Sequence, residues 1–487
     1  MAQPTFFWHD YETFGTDPRR DRPSQFAGIR TTFDLEIIGE PVSVFCRPPE
    51  DALPHPQSCL ITGITPQQAQ RDGVAEAEFA AVVHEQLALP GTCGVGYNSL
   101  RFDDEFTRQL LYRNFYDPYE REWRNGNSRW DLIDLVRMCY ALRPEGIEWP
   151  MRDDGAPSFR LEHLAAANHI EQRRAHDAVS DVEALIGLAR LIRVRQPKLW
   201  DWFFALRKKQ RVHSLLDTAH MTPVLHVSSR YPASRGCLSM IAPITQHPSR
   251  PNEVIVYDLD ADPAELLALE AQDIADRVFT AQADLPEGIE RIKLRTVRVN
   301  RSPALAPLSV LKGVDLSRIG LDPARCEHHL EQLREAPALA DKLREVFALS
   351  GGNNEPATDC ELALYDGFLP DGDKRLLAEV RGTPGAQLGE AAMAFRDPRY
   401  VELLFRYRAR NWPDTLSAEE AERWQAFCRK RLGERSALTH LSLEDFFVAL
   451  AECRSASADD GPSQTVLDQV EAWARELATR HQLALPT

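Results

Sequence analysis

The 487-residue sequence contains no run of 18 or more apolar side chains, the length a helix needs to cross a bilayer. Its first residues, MAQPTFFWHD, place no basic stretch ahead of an apolar one, so neither a membrane span nor a secretion signal is expected. Paired cysteine motifs are missing too. The nine cysteines (46, 59, 93, 139, 237, 326, 360, 428 and 453) are odd in number, scattered and never spaced C-x-x-C. That excludes a disulfide framework and predicts reduced thiols in the cytoplasm. Positive charge is in deficit: 57 Lys and Arg stand against 73 Asp and Glu, a net charge of −16. Bulk attraction therefore cannot be the means of holding nucleic acid, and distribution matters more than the total. Residues 1–196 carry 21 basic and 30 acidic side chains, 197–350 carry 20 and 20, and 351–487 carry 16 and 23. No internal repeat or low-complexity tract is present, and no serine or cysteine sits beside a histidine in a nucleophile motif.

Hydrophobic content of 43% and charged content of 27% are ordinary for a globular chain, and the length calls for two or three domains. The most informative stretch is FFWHDYETFG (6–15), where an apolar run ends in Asp10 and Glu12. Alternate residues of a strand share a face, so the two carboxylates lie side by side with Tyr11 pointing away. Like charges that close raise one another's pKa unless a cation neutralises them, and hard oxygen donors suit magnesium. Alone, D-x-E reads equally as a strand end with two solvated acids. Two further stretches accompany it. GVGYNSLRFDDEF (94–106) is a strand and loop leading into a helix at Asp103, and HDAVSD (176–181) sets His176 five residues before Asp181 at the start of a long helix.

These stretches, in this order, resemble the motifs of the DEDD superfamily of 3′-to-5′ exonucleases, in the branch with a histidine in its last motif. The matched positions are Asp10, Glu12, Asp103 and Asp181, with His176 as the histidine. HDYETFGTDP, DRPSQFA, ITGITP, RNFYDPY, NSRWDL, YALRPEGI, PSFRLEHL and YRARNWP narrow the likeness to the bacterial exodeoxyribonuclease I family, from residue 6 to about 413. The resemblance implies an α/β ribonuclease H-like exonuclease domain with a mixed sheet (1–196), a small barrel-like β domain with appended helices (197–350) and a helical C-terminal domain (351–487). It also implies hydrolysis of single-stranded DNA from its 3′ end to nucleoside 5′-monophosphates, in repair and recombination.

Four such carboxylates can hold two Mg2+ ions about 3.5–4 Å apart, with Mn2+ as a substitute, and the all-oxygen set argues against zinc. His176 is the natural general base, because an imidazole with a pKa near ~6.5 accepts the water's proton at neutral pH. Asp104 and Asp177 read as neighbours of the motif acids. By resemblance Arg108, Tyr119, Trp123, Arg137 and Arg160 contact the DNA strand, as does Glu12; guanidinium groups suit phosphates and aromatic faces suit unpaired bases. The family also binds the acidic, hydrophobic C-terminal tail of single-stranded-DNA-binding protein. The matching pocket here is Arg143 and Arg334, with Lys312 and Trp202 where arginine and tyrosine are expected. A monomer is expected. Two rivals are an RNA-trimming exonuclease with the same acids, disfavoured by about 290 additional residues, and a silent nucleic-acid adaptor, disfavoured by retention of all four acids.

Periodicity predicts strands at 5–9 and 33–47 flanking a polar loop, and helices over 67–88, 104–116, 131–142, 160–169, 177–193 and 197–211. Short β runs follow at PVLHVS, EVIVYDL and RIKLRTVRV, the last placing Arg291, Lys293 and Arg295 on one face. GGNNEPATD (351–359) reads as a linker. In 396–413, Arg399, Arg406, Arg408 and Arg410 alternate with Tyr400, Tyr407 and Trp412, which suits either a single-strand track or a helix packing its aromatics inside. Both basic segments are expected to help enclose the strand.

Overall fold

The structure is a computed structural model describing residues 3–171, 177–349, 356–390 and 393–486. The chain forms two compact units, Met1–Ser128 with Gln172–Glu183 and Glu355–Thr487, and Arg129–Glu171 with Ala184–Asn354.

In the first unit, β1 (Thr5–Thr13) pairs antiparallel with β2 (Pro23–Thr32), which pairs antiparallel with β3 (Ile37–Phe45). The segment expected to be a polar loop thus contains β2. Its burial explains the miss: PSQFAGIRTT is enclosed on both faces and shows no alternation. Gly28 is required there, since a Cβ would meet the Phe7 ring at 2.3 Å. The expected helix over 67–88 is broken. After α1 (Pro56–Thr62) the chain forms α2 (Pro66–Asp72), stops at Gly73, and restarts as α3 (Glu76–Ala88). A side chain at Gly73 would strike the Ala69 carbonyl at 2.4 Å, so the break is built in. β4 (Thr92–Gly96) then lies parallel to β1, and a short turn leads into α4 (Asp103–Arg113).

The chain passes to the second unit within β5 (Ser128–Asp131), continuing as α5 (Leu132–Leu142) and α6 (Leu161–Ala167). α7 (Ala178–Arg195) begins in the first unit and ends in the second. The basic helix expected at 197–211 is two, α8 (Pro197–Ala205) and α9 (Lys209–His213). An antiparallel sheet follows, built from β6 (Val224–Val227), β7 (Leu238–Gln246), β8 (Glu253–Asp258), β9 (Leu294–Arg298) and β10 (Ala304–Pro307) in the order β10-β6-β7-β8-β9. Its central strand β7 is buried on both faces, and for that reason it escaped the period-2 reading. Helices α10 (Ala264–Ala268) and α11 (Ala271–Phe279) interrupt the sheet, and α12 (Pro323–Arg334) and α13 (Leu339–Leu349) follow it. Ile292 and Leu294 are buried, while Arg291, Lys293 and Arg295 join Arg230 around an open hollow of about 490 Å³.

Helices α14 (Asp371–Gly382), α15 (Pro398–Asn411), α16 (Ala418–Gly433), α17 (Leu443–Ala456) and α18 (Gly461–Arg480) return to the first unit. Phe14, Leu53, Cys59 and Ile64 share one core with Leu432, Phe446, Leu450, Leu467, Val470 and Trp473. Buried ion pairs also join the two parts. Glu361, 0% exposed, accepts from Arg22 at 2.6 Å, Arg406 at 2.9 Å and Arg410 at 2.6 Å; Asp51, equally sealed, holds Arg410 at 2.8 Å and also Arg431. This corrects the reading of 396–413 as a DNA track. Arg406, Arg408 and Arg410 are turned inward onto Asp359, Glu361, Asp51 and Glu420, and Tyr400 and Tyr407 are core residues. The proposed linker at 351–359 lies largely outside the described residues.

Candidate metal centre

The β1 pleat sends Asp10 and Glu12 to one face and the Tyr11 ring into the core, where its hydroxyl lies 3.1 Å from Thr107 Oγ1 and donates to it, the Thr107 proton being committed to Asp103. The Tyr11 N–H donates to Asp103 Oδ1 at 3.2 Å, and Thr107 Oγ1 donates to the Asp103 carbonyl at 2.8 Å. The first turn of α4 is thereby tied to the middle of β1. Asp181 arrives from the first turn of α7, which Asp177 begins by accepting from the Ser180 N–H at 3.1 Å. Carboxylate oxygens of Asp10, Glu12 and Asp181 come within 4.8 Å of one another.

The charges acting most strongly on this cluster are all negative. Burial, then Asp181, Asp103 and Asp177, push Glu12 up to about 8; burial, Asp103, Glu12 and Asp181 raise Asp10 well above the carboxylate range. Acids so placed resist ionising together, and a divalent cation with oxygen ligands is what relieves them. The donor set therefore fits hard divalent metal. Asp103 belongs to the same electrostatic group although it stands outside the tightest trio. His176 lies outside the described residues.

Asp104, the acid beside Asp103, faces the other way and is ion-paired with buried Arg121. His9 lies near that pair, and burial drives its pKa down to about 4, so it is a neutral packing residue at working pH. Nothing local marks Arg121 in advance beyond the need of a second buried acid for a cation.

The residues assigned to DNA divide between the units. Arg108 is committed within the protein: Nε and Nη2 grip Glu122 at 2.7 and 2.9 Å, Nη1 meets Glu105 at 3.0 Å, and the guanidinium lies 5.3 Å from the Tyr119 ring centre. Trp123 is 64% exposed. Phe368, 86% exposed and unnoticed in the sequence, lines with Tyr119, Trp123, Lys374 and Arg399 a groove of about 250 Å³. Its one signal was an aromatic within the turn-rich YDGFLP. In the other unit, Arg137 pairs with Asp134 at 2.7 Å beside the Phe159 ring, and Arg160 with Glu162 at 2.6 Å.

The four partner-pocket positions are only partly joined. Arg143 donates to the backbone carbonyls of Val310 and Lys312 at 3.0 and 3.4 Å. Trp202 Nε1 donates to Leu305 O at 2.7 Å, with Arg211 4.8 Å from its ring centre. Arg334 binds the His220 carbonyl at 3.0 Å, a partner shared with none of the other three among the described contacts.

Comparison with known proteins adds three family models: residues 7–189 match one described as Exonuclease, 207–349 the Exonuclease I SH3-like domain, and 358–477 the Exonuclease I C-terminal domain. The chain is 43% identical to exodeoxyribonuclease I of Escherichia coli over 98% of both chains, and 42% identical to that of Haemophilus influenzae over 97% and 98%. Among solved structures, exonuclease I from Methylocaldum szegediense superposes with a TM-score of 0.93 at 49% identity, covering 97% of this chain and 99% of that one. The E. coli enzyme in complex with a dA16 oligonucleotide also gives 0.93, at 43% identity over 98% and 100%. The E. coli enzyme with single-stranded DNA has also been solved with zinc bound, so the expectation that an all-oxygen site disfavours zinc does not extend to that relative.

Proposed function

Because the chain belongs to the bacterial exodeoxyribonuclease I family, we propose that it hydrolyses single-stranded DNA from the 3′ end, releasing nucleoside 5′-monophosphates. The observation that carries this reading is the cluster of Asp10, Glu12 and Asp181 with Asp103 beside it, four acids in one charge-stressed group on a rigid strand and two helix starts. Two Mg2+ ions, or Mn2+, held there would polarise the attacking water and stabilise the leaving 3′ oxygen. The chain's own part is placement. The Tyr11 N–H holds Asp103 against β1, the Tyr11–Thr107 bond fixes the strand's reverse face, and the His176 imidazole takes the water's proton. Trp123, Tyr119 and Phe368 offer faces for unpaired bases, and Arg160 is a candidate phosphate contact. Arg108 orients the aromatic surface of the first unit through Glu122, and in the other unit Arg137 is held by Asp134.

The functional division follows 1–196, 197–350 and 351–487, with the first segment carrying the chemistry. A monomeric cytoplasmic enzyme of repair and recombination is the cellular reading. Arg143, Trp202, Lys312 and Arg334 are assigned to the C-terminal tail of single-stranded-DNA-binding protein, a carboxylate-ended acidic peptide that cations beside an apolar surface would receive. A labelled tail peptide binding Arg334→Ala as tightly as the wild type would remove that assignment.

The substrate is tested with end-labelled DNA and RNA oligomers, single and double stranded. Mononucleotides released from single-stranded DNA far faster than from the others are expected. Preference for RNA would replace this reading with the RNA-trimming one, and no cleavage in Mg2+ or Mn2+ would leave the silent adaptor.

A further inference from the structure

Among the described residues, two groups of acidic, cysteine or histidine side chains bring three donor atoms within 4.8 Å of one another. One is the catalytic cluster. The other is Glu50, Cys428 and His481, from the loop after β3, the middle of α16 and the residue that ends α18. We propose that these three side chains bind a thiophilic divalent ion, with zinc the best match, that clasps the N-terminal sheet region to the last helices.

The His481 imidazole is 0% exposed and already set for such a role. Its Nδ1 lies 2.8 Å from Gln425 Oε1, an acceptor, so the proton sits on Nδ1 and the Nε2 lone pair faces inward. Nε2 makes no hydrogen bond of good geometry, although the Glu50 backbone carbonyl draws on it from the same side. The Glu50 carboxylate Oε2 lies 3.9 Å away and is shared with Arg480 at 3.5 Å. Glu50 is itself oriented, because its Oε1 accepts from the Trp424 indole. Cys428, buried and 0% exposed, supplies sulfur to the same point.

Two ligands on a tetrahedral zinc with bonds of about 2.0 and 2.3 Å stand about 3.5 Å apart, so donor atoms within 4.8 Å of one another need contraction of up to about 1.3 Å. One carboxylate, one thiolate and one neutral imidazole give a net charge that a divalent ion cancels, which suits a buried site. Binding requires the Cys428 thiol to release its proton to solvent as the S–metal bond forms. Glu50 also lines, with Arg480, an open hollow of about 270 Å³, so one of the three ligands reaches the solvent side.

The test uses Co2+ and Zn2+ on the reduced full-length chain after chelator treatment. Cobalt is expected to give a thiolate-to-metal charge-transfer absorption that saturates at one equivalent, is displaced by zinc, and disappears in Cys428→Ser. Affinity for cobalt should fall at least tenfold in His481→Gln. Asp181→Asn should keep the band, because an oxygen-only site cannot produce it. Absence of the band in the wild type, its survival in Cys428→Ser, or its loss in Asp181→Asn overturns the proposal. Should Cys428→Ser fail to fold by near-UV circular dichroism, His481→Gln decides: unchanged cobalt affinity overturns it.

Discussion

Metal binding at Asp10, Glu12, Asp103 and Asp181 should be coupled to proton release, and the size of the coupling follows from the crowding of the acids. In the metal-free protein Glu12 titrates near 8 against an ordinary 4.5, so at pH 7 only about one molecule in ten carries its charge. The difference of about 3.5 units corresponds to about 5 kcal/mol. A raised pKa in the folded state means that folding stability is complete below the unfolded value and is lost as pH rises through the folded one. Metal-free protein should therefore weaken between about pH 5 and 8. A divalent ion needs the carboxylate and must expel that proton, so apparent affinity should rise up to tenfold per pH unit below 8 for each proton released. Asp10, raised by the same neighbours, adds to the count. Calorimetric titration of Mg2+ at pH 7 in buffers of different ionisation enthalpy measures the number directly: about one proton or more is expected. Asp103→Asn, which removes one like charge but leaves the burial, should reduce release without abolishing it. Proton release near zero, with a melting temperature of chelated protein flat from pH 5.5 to 8, would refute the reasoning.

Asp10→Ala or Asp181→Ala should abolish cleavage in saturating Mg2+ while strand binding in chelator stays within a few fold, as fluorescence anisotropy would show; near-normal turnover in either would end the metal assignment. His176→Ala should lower kcat by about 10²–10⁴-fold with metal binding retained, the range for a lost general base. A chemistry-limited rate in the wild type that ignores pH between 5.5 and 8 contradicts that role. Glu361→Gln leaves three buried guanidinium groups short of their shared charge and should cost about 3–5 kcal/mol in urea unfolding. A loss under 1 kcal/mol would mean that the cluster rearranges at little cost. A fragment ending at residue 196 should be insoluble, since it strips Asp51 of Arg410 and Arg431 and opens the core beneath Phe14 and Leu53. Recovery of a cooperatively folding monomer would show the C-terminal helices to be dispensable.

How much could be read in advance depended on whether an element carried a local pattern or motif. β1 was legible because its apolar run ends in two acids on one face, and α7 because its apolar residues recur at helical spacing. β2 and β7 were not, since a strand sealed on both sides carries no alternation. Gly73 breaks a helix whose apolar spacing continues across it, for a steric reason visible only when the Ala69 carbonyl is in place. Asp103 and Asp181 were found through resemblance, because no local pattern tells a helix-start aspartate that faces Asp10 from one that faces solvent. The largest misreading, the arginines of α15, has the same origin. Their interleaving with tyrosines was plain, but the acids that claim them are Asp51 and Glu361, and the contact from Arg410 to Asp51 spans 359 residues.

That misreading also bears on the chain's acidity. In the first unit Arg22, Arg113, Arg121, Arg406, Arg408, Arg410 and Arg431 are all buried, each held by a carboxylate. These cations serve packing and are unavailable to phosphates, so the net charge of −16 underestimates how little of this unit's surface can attract a polyanion. Aromatic surface is there too: Trp123 and Phe368 stand exposed beside a groove that Lys374 also lines. Stacking serves unpaired bases and offers nothing to a duplex, whose bases already stack on each other. The exposed aromatic faces beside this groove thus favour single strands over double.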